Sequence, residues 1–197
     1  MDTIVEAVKL ASKLHSRQRK KKSIVPNIPY MGHLMEVAGI VQANGGDKTT
    51  VAAALLHDAI EDQGAEAREK IRDKLGQEVL DIVEACTESE TFPKPPWRER
   101  KATYLNLVGT ASLQVLLVIV ADKLQNSRAL LRRLKLEGAE GWGHPGREEK
   151  VWYLHSLVEA LRRRLTQLEQ ETNSPMLVSL HLLIEEYAEV VAELTRH

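Results

Sequence analysis

The sequence predicts an all-α protein, a single helical bundle of about eight to ten helices, and three observations carry that reading. Apolar residues fill 43% of the 197 positions and aromatic ones only 4%, so the core must be built from Leu, Val, Ile and Ala, which suits packed helices. Apolar positions recur at helical spacing along one stretch after another, with Gly, Pro and Asn between the stretches. No segment alternates convincingly as a strand does, and neither common glycine-rich phosphate loop is present.

Asp2 or Thr3 caps a first helix with Ile4, Ala7, Val8, Ala11 and Leu14 at helical spacing. It leads into Arg17, Arg19, Lys20, Lys21 and Lys22, cations that either complement the helix dipole or clamp a phosphate-rich ligand. Pro26 and Pro29 impose an irregular segment, and a second helix then runs from near Tyr30 through His33 to a stop at Asn44-Gly45-Gly46. Asp47 caps a third helix, which His57, Asp58, Glu61 and Asp62 close before Gly64 breaks it. Helices follow from Ala65 to Leu75 and from Gln77 to Cys86, then a loop through Thr91 and Phe92 to Pro96. Trp97 to Lys101 opens another helix with a second basic cluster, whose bland reading is a solvated face. Ser112 caps the most apolar helix, Leu113 to Ala121, in which Asp122 and Asn126 stand one turn apart. Gly138 to Gly146 reads as a flexible connection that forms a lid or rim. Arg147 to Glu171 is amphipathic, and Ser174-Pro175 opens a last helix with a stripe from Leu177 to Val191. Residues 1–170 are thus expected to form one domain, with 171–197 a C-terminal helix packed on it.

The chemistry concentrates where the third helix ends. On a continuous helix His57, Asp58, Glu61 and Asp62 would share an arc of about 140°. Three carboxylates so close repel one another and are costly to desolvate, and a cation relieves both problems. An imidazole and a carboxylate are ligands that transition metals accept, which leaves Glu61 and Asp62 to handle protons beside the metal. His33, on the preceding helix, is a second candidate ligand. Asp122, in the middle of a core helix, needs a cation, a donor or a proton.

Lys and Arg number 27 against 28 Asp and Glu, so bulk charge argues for neither nucleic acid nor membrane. Cys86 is the only cysteine, which excludes an intramolecular disulfide or a cysteine-based zinc framework. The N-terminus lacks a signal-peptide pattern and the longest apolar run is too short to span a bilayer, so a soluble cytoplasmic protein is expected.

His33, His57-Asp58, Glu61-Asp62 and Asp122, in that order, resemble the HD-domain superfamily of metal-dependent phosphohydrolases. More narrowly, the stretches His15 to Lys20, Pro29 to His33, Ala53 to Asp62, Val120 to Asn126, Trp97 to Tyr104 and Lys150 to Leu154 resemble the small alarmone hydrolases and the hydrolase domain of Rel/SpoT enzymes. The resemblance implies an HD-type bundle in which His33, His57, Asp58 and Asp122 hold Mn²⁺ and Glu61 and Asp62 form the acid/base pair. It implies that Arg19, Lys20, Lys101, Asn126 and Tyr153 contact the nucleotide and its phosphates. The implied reaction removes the 3′-diphosphate from a guanosine or adenosine tetra- or pentaphosphate alarmone, releasing pyrophosphate and a 5′-nucleotide.

The chain departs from the family pattern at Leu34, where Pro is usual, at Gln125, where His is frequent, and through Gly141 to Gly146. None of these removes a metal ligand. About thirty residues follow the Trp152-Tyr153 helix, too few for a synthetase domain, so the chain is expected only to degrade. The competing readings are an HD-type nucleotidase or general nucleotide phosphohydrolase, and a non-catalytic nucleotide-sensing module. The sequence leaves the oligomeric state open, a homo-oligomer included.

Overall fold

The computed structural model describes residues 2–20, 24–90 and 93–197. Lys21 and Lys22 of the first basic run, and Thr91 and Phe92 of the loop before Trp97, lie outside the described residues. Among these residues there are ten α-helices and no named strand, only an isolated antiparallel bridge between Arg19 and Pro29.

The helices are α1 (Thr3–Leu14), α2 (Met31–Ala43), α3 (Lys48–Leu56), α4 (Ala59–Gln63), α5 (Ala65–Leu75), α6 (Gln77–Cys86), α7 (Trp97–Val108), α8 (Leu113–Glu137), α9 (Arg147–Glu171) and α10 (Met176–Leu194). Three starts follow the expected capping chemistry. The Asp2 carboxylate accepts from Ile4 N–H at 2.9 Å, Asp47 from Thr50 N–H at 2.8 Å, and the Ser112 hydroxyl from Val115 N–H at 3.3 Å. α3 is buried from Thr50 to Leu56, and its alanines let α1, α2 and α6 approach it closely. α8 is the central rod: Val115 to Ala121 are buried, and α2, α3, α6, α9 and α10 pack around it. The last helix, α10, lies against α8 and α9 and buries Leu180, Ile184 and Tyr187. No described helix is long and apolar enough to cross a membrane.

Two expectations are corrected. The helix opened by Lys48 does not run through Asp62; it stops at Leu56, turns at His57-Asp58 and restarts at Ala59. The His57 imidazole folds back so that Nδ1 bonds the Ala54 carbonyl at 2.8 Å, and a side chain that takes a helix acceptor competes with the backbone ladder. Glu61 and Asp62 therefore stand on a separate short helix, and the arc expected for one continuous helix does not apply.

The stretch from Gly138 is not a loose lid either. Residues Gly138–Trp142 form a 3-10 helix packed on α8, and Trp142 is 2% exposed. Arg133 and Lys150 donate to the Gly141 and Trp142 carbonyls, tying this turn to α8 and α9. Gly141 permits a close approach: a Cβ there would lie 3.2 Å from the Leu134 Cα and N atoms, tighter than ordinary van der Waals contact.

Candidate metal centre and adjoining cavity

α2 supplies His33, the turn after α3 supplies His57 and Asp58, and α8 supplies Asp122; the packing of α2 and α3 on α8 brings all four together. His33 Nε2 lies 3.6 Å from Asp58 Oδ2 and 3.3 Å from Asp122 Oδ1. His57 Nε2 lies 3.1 Å and 3.5 Å from the same two oxygens. Both Nε2 atoms are buried, yet neither meets hydrogen-bond geometry with any neighbour. Such nitrogens converging on carboxylate oxygens are what a metal site requires, since a ligand lone pair points at the ion rather than at an acceptor. His33, His57 and Asp58 offer ligand atoms within 4.8 Å of one another, and Asp122 closes the set from α8. The Ala54 carbonyl can only accept, so the His57 Nδ1 carries a proton and Nε2 is left as the candidate ligand atom.

Charge in this centre is mutually compensated. Burial opposes the charged forms of His33 and His57, but the facing Asp58 and Asp122 carboxylates outweigh it and raise both imidazoles above the usual histidine range. Burial likewise opposes ionisation of Asp122, but Lys123 and the two imidazoles hold it well below the usual carboxylate range. Tyr30 donates its hydroxyl to Asp58 Oδ2, and burial together with that carboxylate pushes the phenol up, so it remains a donor. Asn126 Nδ2 donates to Asp122 Oδ1 at 2.5 Å.

Glu61 lines a small polar cavity of about 30 Å³ with His57, Asp58, Glu88, Asp122 and Lys123, room enough for a water. Its Oε1 accepts from Lys94 Nζ at 2.6 Å. Asp62 does not line this cavity; it is exposed, and its Oδ2 accepts from Gln18 Nε2 at 2.7 Å.

Lys123 also borders a larger cavity of about 200 Å³, walled by Trp97, Leu130 and Leu154 and carrying Lys101, Asn126 and Tyr153. Three of the five expected substrate contacts thus share one cavity beside the candidate metal ligands. The Tyr153 hydroxyl is buried there without a hydrogen-bond partner. Arg19 and Lys20 do not line it. Lys20 Nζ donates to Gln125 Oε1 at 2.8 Å, and Arg19 turns back onto the Ser16 and Gln18 carbonyls. The second basic cluster is not a solvated face throughout, because Arg100 and Lys101 both donate to Glu88, whose side chain is 8% exposed. Burial pulls the Lys101 ammonium down, with the neighbouring Lys123 adding to the effect.

Sequence reasoning assigned no role to Tyr30, Gln18, Lys123 or Glu88. Lys123 carries a signal, since a cation next to a core aspartate is its nearest available partner. Glu88 carries none, because it lies in the loop after α6 and its partners come from α7.

A sequence profile of the HD domain family matches residues 7–140. A guanosine-3′,5′-bis(diphosphate) 3′-pyrophosphohydrolase, MESH1, of Xenopus tropicalis is 36% identical over 168 residues, covering 84% of this chain and 88% of that one. Its Homo sapiens counterpart is 32% identical over 169 residues, covering 85% and 89%. Among solved structures, lmo0812 from Listeria monocytogenes superposes with a TM-score of 0.70 at 30% identity, covering 84% of this chain and 99% of that one. A metazoan orthologue of SpoT, described as hydrolysing ppGpp, superposes with a TM-score of 0.69 at 26% identity, covering 94% and 96%.

Proposed function

This chain belongs to the HD domain family, and on that premise we propose that it removes the 3′-diphosphate from guanosine and adenosine alarmones in the cytoplasm, releasing pyrophosphate. The observation that carries the reading is the pair of buried, unpartnered Nε2 atoms of His33 and His57 facing Asp58 and Asp122, beside a cavity lined by cations. In this reading those four residues hold Mn²⁺. When bound, such an ion supplies Lewis acidity, neutralising charge that develops on phosphorus and making a nearby water more acidic.

The chain's own groups do the rest. Glu61, in the water-sized cavity, accepts the proton of the attacking water, and Lys94 steers its carboxylate. Asp62, on the same short helix and oriented by Gln18, completes the acid/base pair from outside the cavity. Lys123, which Asp122 keeps charged, and Lys101 present ammonium groups to the phosphates. Asn126 and the unpartnered Tyr153 hydroxyl offer further polar contacts, and Trp97, Leu130 and Leu154 give a nucleoside an apolar wall. Arg19 and Lys20 extend the positive field on the Gln125 side.

The cavity pairs apolar walls with phosphate-directed cations and holds no evident constellation that reads a purine edge. Shape and stacking alone discriminate by only ~10–200-fold, so both bases are accepted. The test is purified protein with Mn²⁺ and a nucleotide panel, products resolved by anion-exchange chromatography. Guanosine and adenosine 3′-diphosphate substrates should yield intact pyrophosphate, while plain GTP and ATP survive. Orthophosphate or triphosphate released from ordinary triphosphates at comparable kcat/KM would replace this reading with a general nucleotidase.

A further inference from the structure

Gln125 sits on α8, 6% exposed, between three charged or ionisable side chains. Its Oε1 lies 2.7 Å from His33 Nδ1 and 2.8 Å from Lys20 Nζ, and its Nε2 lies 2.6 Å from Glu36 Oε2. These partners leave the amide one orientation. A lysine ammonium can only donate and a carboxylate can only accept, so the oxygen must face Lys20 and the nitrogen must face Glu36. The same oxygen then meets His33 Nδ1, which can only donate to it. The neutral ring of His33 is thereby fixed with its proton on Nδ1, which makes the buried, unpartnered Nε2, aimed at Asp58 and Asp122, the nitrogen whose lone pair a metal ion would take.

We infer that Gln125 is a positioning residue of the metal centre: clamped between Lys20 and Glu36, its amide sets the ring orientation and tautomer that make His33 a ligand. Unlike an imidazole at this place, the amide does not itself titrate near neutral pH. The inference rests on the metal-site reading proposed above, and its test separates the two.

Mn²⁺ affinity is measured by competition, reading free Mn²⁺ by electron paramagnetic resonance, for wild type, Gln125→Met and Gln125→His, alongside melting curves of the metal-free proteins. Partners of this kind are typically worth about 10–100-fold in metal affinity, so Gln125→Met should weaken binding by that factor. Gln125→His, whose ring can accept from His33 and donate to Glu36, should recover most of the loss. A residue that serves packing alone would lower the melting temperature and leave the affinity unchanged; that result overturns the inference while the metal site stands. A wild type that binds no Mn²⁺ overturns both. Should Gln125→Met fail to fold, wild-type protein labelled with ¹⁵N-histidine and loaded with diamagnetic Zn²⁺ decides the point. His33 should be protonated at Nδ1 and metal-bound at Nε2, and the reverse assignment overturns the inference.

Discussion

Lys123 Nζ donates to Asp122 Oδ2 at 2.7 Å, so two consecutive residues of the central helix form an ion pair whose aspartate is buried and whose lysine is partly buried, at the edge of the candidate metal centre. The partner of an acidic candidate ligand is thus supplied by its own neighbour in sequence. Removing one member of a fully buried pair costs about 3–5 kcal/mol because the other charge is left behind, and the partial exposure of Lys123 and the other partners of Asp122 reduce this to about 1–3 kcal/mol here. Lys123→Met should therefore lower the unfolding free energy by about that amount in metal-free protein, and by less with saturating Mn²⁺, which offers Asp122 a replacement cation. Denaturant titrations with and without the metal check this. Equal losses in both conditions would show that the lysine does not compensate the aspartate.

Glu88 provides the pH-dependent case. Burial would raise its carboxyl, but Lys101, Lys123 and Arg100 outweigh that and hold it below the usual glutamate range. A carboxyl held low contributes stability that is full above its unfolded pKa and is lost as pH falls through its folded pKa. Glu88→Gln should melt well below wild type at pH 7, and the gap should narrow as the pH is lowered below about 4. Melting curves across that range test it, and a gap that widens on acidification would contradict the sign.

Glu61 and Asp62 should separate chemistry from metal binding. General acid–base groups typically contribute ~10²–10⁴-fold. Glu61→Gln, inside the water-sized cavity, should fall toward the upper part of that range in kcat. Asp62→Asn, exposed and held by Gln18, should fall toward the lower part. Both should keep wild-type metal content. Turnover kinetics with parallel elemental analysis distinguish the outcomes, and near wild-type kcat in both variants would remove them from the mechanism.

Gly141→Ala tests the packing of the 3-10 helix on α8. The added Cβ would meet Leu134 backbone atoms at 3.2 Å, and a helix backbone yields little. Overpacking of this kind costs about 1–3 kcal/mol. Thermal unfolding should show the loss, and an unchanged melting temperature would mean that the turn can move off α8.

Much of this was legible in the sequence for local reasons. Asp2, Asp47 and Ser112 announce helix starts, and Gly64 and Gly76 announce stops, because capping and positive-φ positions are written in single residues. His33, His57, Asp58 and Asp122 were legible as ligand candidates because imidazoles and carboxylates on apolar helices demand compensation. The break at His57-Asp58 was not, since periodicity cannot show a side chain taking the Ala54 carbonyl. Nor was the order around Trp142, where glycines permit a loop and the burial of one indole decides against it. Glu88 and Tyr30 were unreadable for a third reason: each acquires its role from a partner on another element, Lys101 in one case and Asp58 in the other.

The central claim is that His33, His57, Asp58 and Asp122 together hold a metal ion, and elemental analysis of the purified protein tests it most directly. Wild type should carry a single divalent ion per chain after incubation with Mn²⁺ and gel filtration. Asp58→Ala and Asp122→Ala should each lose it, and chelation should lower the wild-type melting temperature because the ion ties α2, the α3–α4 turn and α8 together. Metal content unchanged from wild type in both variants would contradict the four-ligand centre.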